Sequence, residues 1–179
     1  MVHPKTSPWG AVQSVREFGD GVVAVSTAGH GGFKLDRERN NKIPPMFRKS
    51  GGWYEEDCEA AIVMYFVLLL DEQRKASAVR VLKDYFWVDW ELFTGKSLSP
   101  GESSGKDRHL FEMAHENDFV VRSAMSLRHE PGIVGTCAVR EKDGVEAWFR
   151  VPGAEYDQRG QFGFVIDESR HVRSETPLF

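Results

Sequence analysis

The chain of 179 residues holds only two cysteines, Cys58 and Cys137, in unlike contexts. No CxxC or paired-histidine spacing accompanies them. A disulfide framework and a zinc finger are therefore not supported, and reduced thiols in a cytoplasm are the default. Long hydrophobic runs are lacking too. The longest, "AAIVMYFVLLL" from Ala60 to Leu70, falls well short of the ~20 residues a membrane span needs. The opening "MVHPKTSPWG" has no apolar segment of signal-peptide type, so a cytoplasmic location with no membrane partner is expected. An excess of one charge is also missing: the formal net charge is -4, with 23 basic and 27 acidic side chains. Residues 1–95 carry 12 of the basic and 13 of the acidic groups, so the two halves differ little. Such a balance gives no general pull toward nucleic acid or anionic lipid. Internal repeats are absent.

What is present reads as a folded α+β protein. Composition is 41% hydrophobic and 28% charged, which excludes disorder of the whole chain. The length suits one domain with a sizeable core. Residues 1–8 are expected to be a flexible N-terminus and 9–179 a single domain. Within it, the Ser-, Gly- and Pro-rich stretch around 95–107 reads as a polar linker. "AVQSVREFGDGVVAVSTA" predicts a hairpin turning at "GDG". A loop follows, with one helical turn near Met46. Helices are predicted over about Cys58–Leu70, with Asp57 as cap, Glu72–Phe86 and Val88–Phe93, then a short one in "RHLFEMAHEND". "DFVVRSAMSL", "IVGTCAVRE" and "GVEAWFRVP" predict an antiparallel meander turning at "KDG", and "QFGFVID" a final strand. The expected architecture is a mainly antiparallel sheet, N-terminal hairpin plus C-terminal meander, with two or three helices on one face.

Several groups are candidates for chemistry. "STAGHGGFK" places His30 among Gly29, Gly31 and Gly32 just after a strand. Exposed backbone N–H groups there, with Lys34, can form an anion-binding nest, although neither a P-loop nor a Rossmann fingerprint is matched. The alternative is a turn that needs glycine at positive φ. A basic patch follows: Arg37, Arg39, Lys42, Arg48 and Lys49. Glu55, Glu56, Asp57 and Glu59 can join His30 as metal ligands or as an acid–base pair. No HExxH-type spacing supports this, and acids before a helix are accounted for by its dipole, so no metal or other cofactor is expected. The imidazole and the acids are taken to do separate jobs. Cys58 at a helix start, with His30 as base, is a candidate nucleophile, opposed by its acidic neighbours. Cys137 reads as structural. Trp148 falls on the polar side of its strand, as either a second packing layer or an exposed partner-binding anchor.

The blocks "SPWG", "VSTAGHGGFKL", "GGWYEEDCEAA", "LSPGES", "AHENDFVVRSAMS" and "VPGAEYDQRGQFGFVID" occur in that order over about Ser7 to Asp167. Together they resemble an uncharacterised domain-of-unknown-function family of proteobacterial plasmids, prophages and other mobile elements. The resemblance implies a non-enzymatic accessory protein of a mobile genetic element that binds a host protein and interferes with a defence system. It supplies no catalytic residue. The alternatives are a small hydrolase or transferase using His30 with Cys58 or Glu55 and Glu56, and nucleic-acid or phosphate-ligand binding through the basic loop 34–49.

Overall fold

From Ser14 to the acidic run at Glu55, the chain builds one antiparallel sheet. The structure, a computed structural model describing residues 3–179, falls into two units, Met1–Lys106 and Asp107–Phe179. The first opens with a two-stranded hairpin, β1 (Thr6–Ser7) with β2 (Gly10–Ala11). A four-stranded sheet follows in the order β3 (Ser14–Glu17), β4 (Val22–Ser26), β5 (Gly31–Leu35), β6 (Trp53–Glu55). All neighbours are antiparallel. The β-branched run of β4 suits a pleated, half-buried surface, and Val22, Val23 and Val25 are buried.

Between β5 and β6 lies α1 (Arg37–Asn41), capped by Asp36, whose carboxylate accepts from the Arg39 N–H at 2.8 Å. The helical part of this unit continues with α2 (Ala60–Phe66), α3 (Glu72–Tyr85) and α4 (Trp87–Thr94). Asp71 caps α3 by accepting from the Arg74 N–H, the arrangement expected of Asp at an N-cap. α4 ends on Gly95 at φ +66°, a left-handed cap that favours glycine. The core joins the sheet residues Val22, Leu35 and Tyr54 to Ile43, Phe47, Ile62, Val63, Leu82 and Trp90. α5 (Ser104–Ala114) begins in the first unit. There Gly105 passes so close to the Asp84 carbonyl that a Cβ would overlap it.

The second unit is the expected meander: β7 (Phe119–Ser126), β8 (Ile133–Arg140) and β9 (Val145–Pro152). α6 (Gly153–Tyr156) follows, and β10 (Val172–Ser174) pairs with β9 at the sheet edge. Phe119, Ala138, Phe149, Val151 and Ile166 form the core of this unit. His171 is 4% exposed; its Nδ1 accepts from the Asp167 N–H at 3.0 Å.

The α+β class with mainly antiparallel sheets holds. The arrangement differs from expectation at several points. The hairpin and the meander lie in separate sheets, because β5 and β6 extend the first and β10 extends the second. "QFGFVID" makes two isolated bridges, Val120 to Val165 and Gly160 to Gly163, instead of a strand. α2 is shorter than predicted: it ends at Phe66, and Leu69 beyond it is fully exposed. Among the described residues, no helix is long and apolar enough to cross a membrane.

Candidate functional site

The glycine-rich stretch is itself structural. Ser26 ends β4, residues 27–30 turn, and Gly31 starts β5. Thr27 holds the turn: its amide and hydroxyl both donate to the His30 carbonyl at 2.8 Å, and its Oγ1 accepts from the His30 N–H at 3.2 Å. Such Ser/Thr turns fix the backbone locally. The imidazole is thereby set at the end of the sheet with 63% of its side chain exposed.

Positive φ is not what the three glycines provide; Gly29, Gly31 and Gly32 all have ordinary φ values. Two of them allow close approach instead. A Cβ on Gly31 would overlap Glu56 Oε2, and one on Gly32 would overlap the Tyr54 carbonyl and the Trp9 ring. Gly31 and Gly32 pair with Ser26 and Val25 in the ladder, and Gly32 also opposes Glu55.

The acids do not cap a helix. Glu55 is the last residue of β6, and α2 begins at Ala60 after Glu59, whose side chain makes no capping bond. Glu55 and Glu59 organise the crossing instead. Glu55 Oε2 accepts from the Asp57 N–H at 2.8 Å. Glu59 Oε2 accepts from the Glu55 N–H at 3.1 Å, and Glu59 Oε1 pairs with Lys49. The Glu56 N–H donates to the Gly31 carbonyl at 3.1 Å, which ties the acidic turn to the histidine turn.

The result is a convergence that the sequence reading did not expect. His30, Glu55 and Glu56 each present a ligand atom, all within 4.8 Å of one another. His30 Nδ1 lies 3.8 Å from Glu55 Oε1. That oxygen is buried and is the one buried side-chain polar atom among the described residues with no hydrogen-bond partner. A buried carboxylate oxygen without a donor is costly, and such atoms are uncommon in folded proteins. One imidazole and two carboxylates form a mixed N/O donor set of the kind that holds Zn²⁺ or Mn²⁺.

The other candidate residues fall elsewhere. Cys58 has its thiol pushed up, first by burial and then by Asp57, Glu55 and Glu59. Its surroundings are acidic, the reverse of the electropositive setting that activates a cysteine. Cys137 is buried in β8 and likewise raised, first by burial. The basic patch is partly neutralised. Arg39 donates to the Asp20 carbonyl, Lys42 lies 3.8 Å from Glu38, and Lys49 pairs with Glu59. Lys34 Nζ donates to the Gly51 carbonyl and lies over the Trp53 ring at 5.1 Å. Trp148 is half-buried, packed edge-to-face on Phe179 with ring centroids 4.8 Å apart.

Sequence reasoning missed β6. Its signal was present, as aromatic Trp53 and Tyr54 directly after two glycines, but three residues carry no periodicity. Once β6 is placed, pairing of Gly32 with Glu55 brings the acids to His30.

The model of a family described as a domain of unknown function, DUF7007, matches residues 2–116. The match contains the whole cluster and stops short of the meander, so it is narrower than the resemblance read over Ser7–Asp167. No curated protein and no solved structure matches the chain. With more than half of its length matched, the chain belongs to the DUF7007 family.

Proposed function

We propose that the first unit binds a divalent transition-metal ion through His30, Glu55 and Glu56, and that the bound ion supports hydrolysis. The observation that carries this reading is Glu55 Oε1, buried, unpartnered and facing the imidazole at 3.8 Å. Two adjacent carboxylates repel one another, and a cation between them converts that repulsion into attraction. Three protein ligands leave coordination positions for water, which is the pattern of hydrolytic zinc sites; structural ones are closed by four. The exposure of His30 and Glu56 gives a substrate access. Lys49, bound to Glu59, supports the site from outside by fixing the carboxylate that holds the Glu55 backbone.

The test is calorimetric titration with ZnCl₂ and MnCl₂ of the wild type, Glu55→Gln and His30→Ala. The Gln variant keeps an oxygen to accept from Asp57. The reading expects one site, weakened at least tenfold by either substitution, and metal-dependent cleavage of an ester panel that both variants lose. Equal metal affinity in all three proteins would refute it.

A second reading keeps the accessory role expected from the resemblance. Its support is an exposed apolar group at the α3–α4 junction: Tyr85, Val88 and Leu92 are 67%, 51% and 67% exposed. Val88 and Leu92 are four apart and share a helix face. A host protein captured by the wild type and lost with Leu92→Asp, at unchanged cation binding, would favour this role over hydrolysis.

A further inference from the structure

A second polar site lies at the other end of β5. There a cavity of about 410 Å³ opens between the start of α1 and the loop 48–52, lined among others by Lys34, Arg37, Asn41, Arg48, Ser50 and Gly51. Three of these side chains are cationic. The one acid on the wall, Asp36, already accepts from the Arg39 N–H.

Arg48 is held in place. Its Nε donates to the Ile43 carbonyl at 2.9 Å, and its Nη2 donates to the Ile43 and Asn41 carbonyls at 2.7 and 3.0 Å. A guanidinium has five N–H donors, so these bonds fix the plane and leave Nη1 available. Lys34 is pinned by the Gly51 carbonyl at 2.5 Å and has two further donors. The side chains of Arg37, Asn41 and Ser50 line the same cavity and, among the described residues, have no hydrogen-bonding or ion-pair partner of their own. Donors thus outnumber acceptors around a space with net positive charge, and a planar, immobilised guanidinium matches the tetrahedral oxygens of phosphate.

We infer that this cleft binds the phosphate group of a ligand, recognised by Arg37, Arg48 and Lys34 with Asn41 and Ser50 as neutral donors. Trp53 lies beside the cleft, with the Lys34 ammonium over its ring at 5.1 Å. Three residues of strand, about 10 Å, separate Lys34 from Gly31. The cleft is therefore distinct from the His30 cluster, and the inference stands without the cation reading.

The experiment is calorimetric titration of the full chain in EDTA at low ionic strength, with inorganic phosphate, a nucleoside monophosphate and a short single-stranded oligonucleotide as separate probes. EDTA removes any contribution of a bound cation. The expected result is saturable binding of at least one probe. Arg37→Glu and Asn41→Asp, at exposed positions whose side chains make no described contact, should each weaken it about tenfold or more, the loss of one charge-assisted hydrogen bond, with the fold intact by circular dichroism. Glu55→Gln should leave it unchanged. The tightest probe identifies the source of the phosphate. No saturable binding of any probe, or binding that neither variant weakens, overturns the inference.

Discussion

His30 Nδ1 and Glu55 Oε1 face each other at 3.8 Å across the end of the β4–β5–β6 sheet, and the oxygen has no other partner. The distance is too long for a hydrogen bond. Both are placed by backbone: the Thr27 turn sets the imidazole, and the pairing of Gly32 with Glu55 sets the carboxylate. Glu56 completes the group only because Gly31 has no side chain.

That dependence can be tested directly. Gly31→Ala puts a methyl where Glu56 Oε2 lies and against the Val25 carbonyl. The carboxylate must move, and metal affinity should fall about tenfold, at the lower end of what displaced supporting groups cost. Gly29→Ala meets nothing within 4 Å and needs no unusual φ, so it should bind metal as the wild type does. Equal affinities for the two variants would show that glycine 31 has no part in the site.

Beneath the site, a closed ring of bonds holds the loop between α1 and β6. The Tyr54 hydroxyl donates to Asn40 Oδ1 at 2.6 Å and accepts from the Lys49 N–H at 3.0 Å; Asn40 Nδ2 donates to the Lys49 carbonyl at 2.8 Å. Tyr54 is wholly buried. Tyr54→Phe leaves one acceptor and one donor unsatisfied and should cost about 1–3 kcal/mol, read from urea denaturation midpoints. A change within experimental error would mean the ring contributes nothing.

Cys58 should be inert. Burial first, then its acidic neighbours, raise the thiol above its ordinary value, so the thiolate fraction at neutral pH is below that of a free cysteine. Iodoacetamide should therefore label Cys58 more slowly than glutathione at pH 7, and Cys58→Ser should leave metal binding unchanged. Labelling faster than glutathione would contradict the assignment.

Acid should act on the second unit through Asp167. The Ser169 hydroxyl, the Arg170 guanidinium and the Ser169 N–H lower its pKa from 3.8 to about 2. A carboxylate depressed in the folded state stabilises fully above its unfolded pKa and loses that contribution as pH falls through the folded one. The stability difference between the wild type and Asp167→Asn should therefore be constant above about pH 4 and vanish toward about pH 2. A difference that does not change over that range would contradict the assignment.

Much of the scaffold was legible from local pattern. β7 to β9 show alternation and a "KDG" turn, and α3 shows helical spacing. α1 was missed because "RERNN" is polar all round, and its one buried residue, Asn40, is itself polar. β5 read as a loop because its first two residues are glycines, needed for contacts that only the fold creates. The site was half legible. His30, Glu55 and Glu56 were each singled out, yet their meeting depends on a three-residue strand and its register, which no local pattern encodes. The partition into two sheets was hidden for the same reason: β5 and β10 choose their neighbours by tertiary packing.

The account rests most directly on where a cation goes. Crystals soaked in ZnCl₂ and measured at the zinc edge should show an anomalous peak about 2.0–2.2 Å from His30 Nδ1 and from one oxygen each of Glu55 and Glu56. A fully occupied zinc elsewhere with none at this cluster, or no zinc at saturating concentration, would contradict the account.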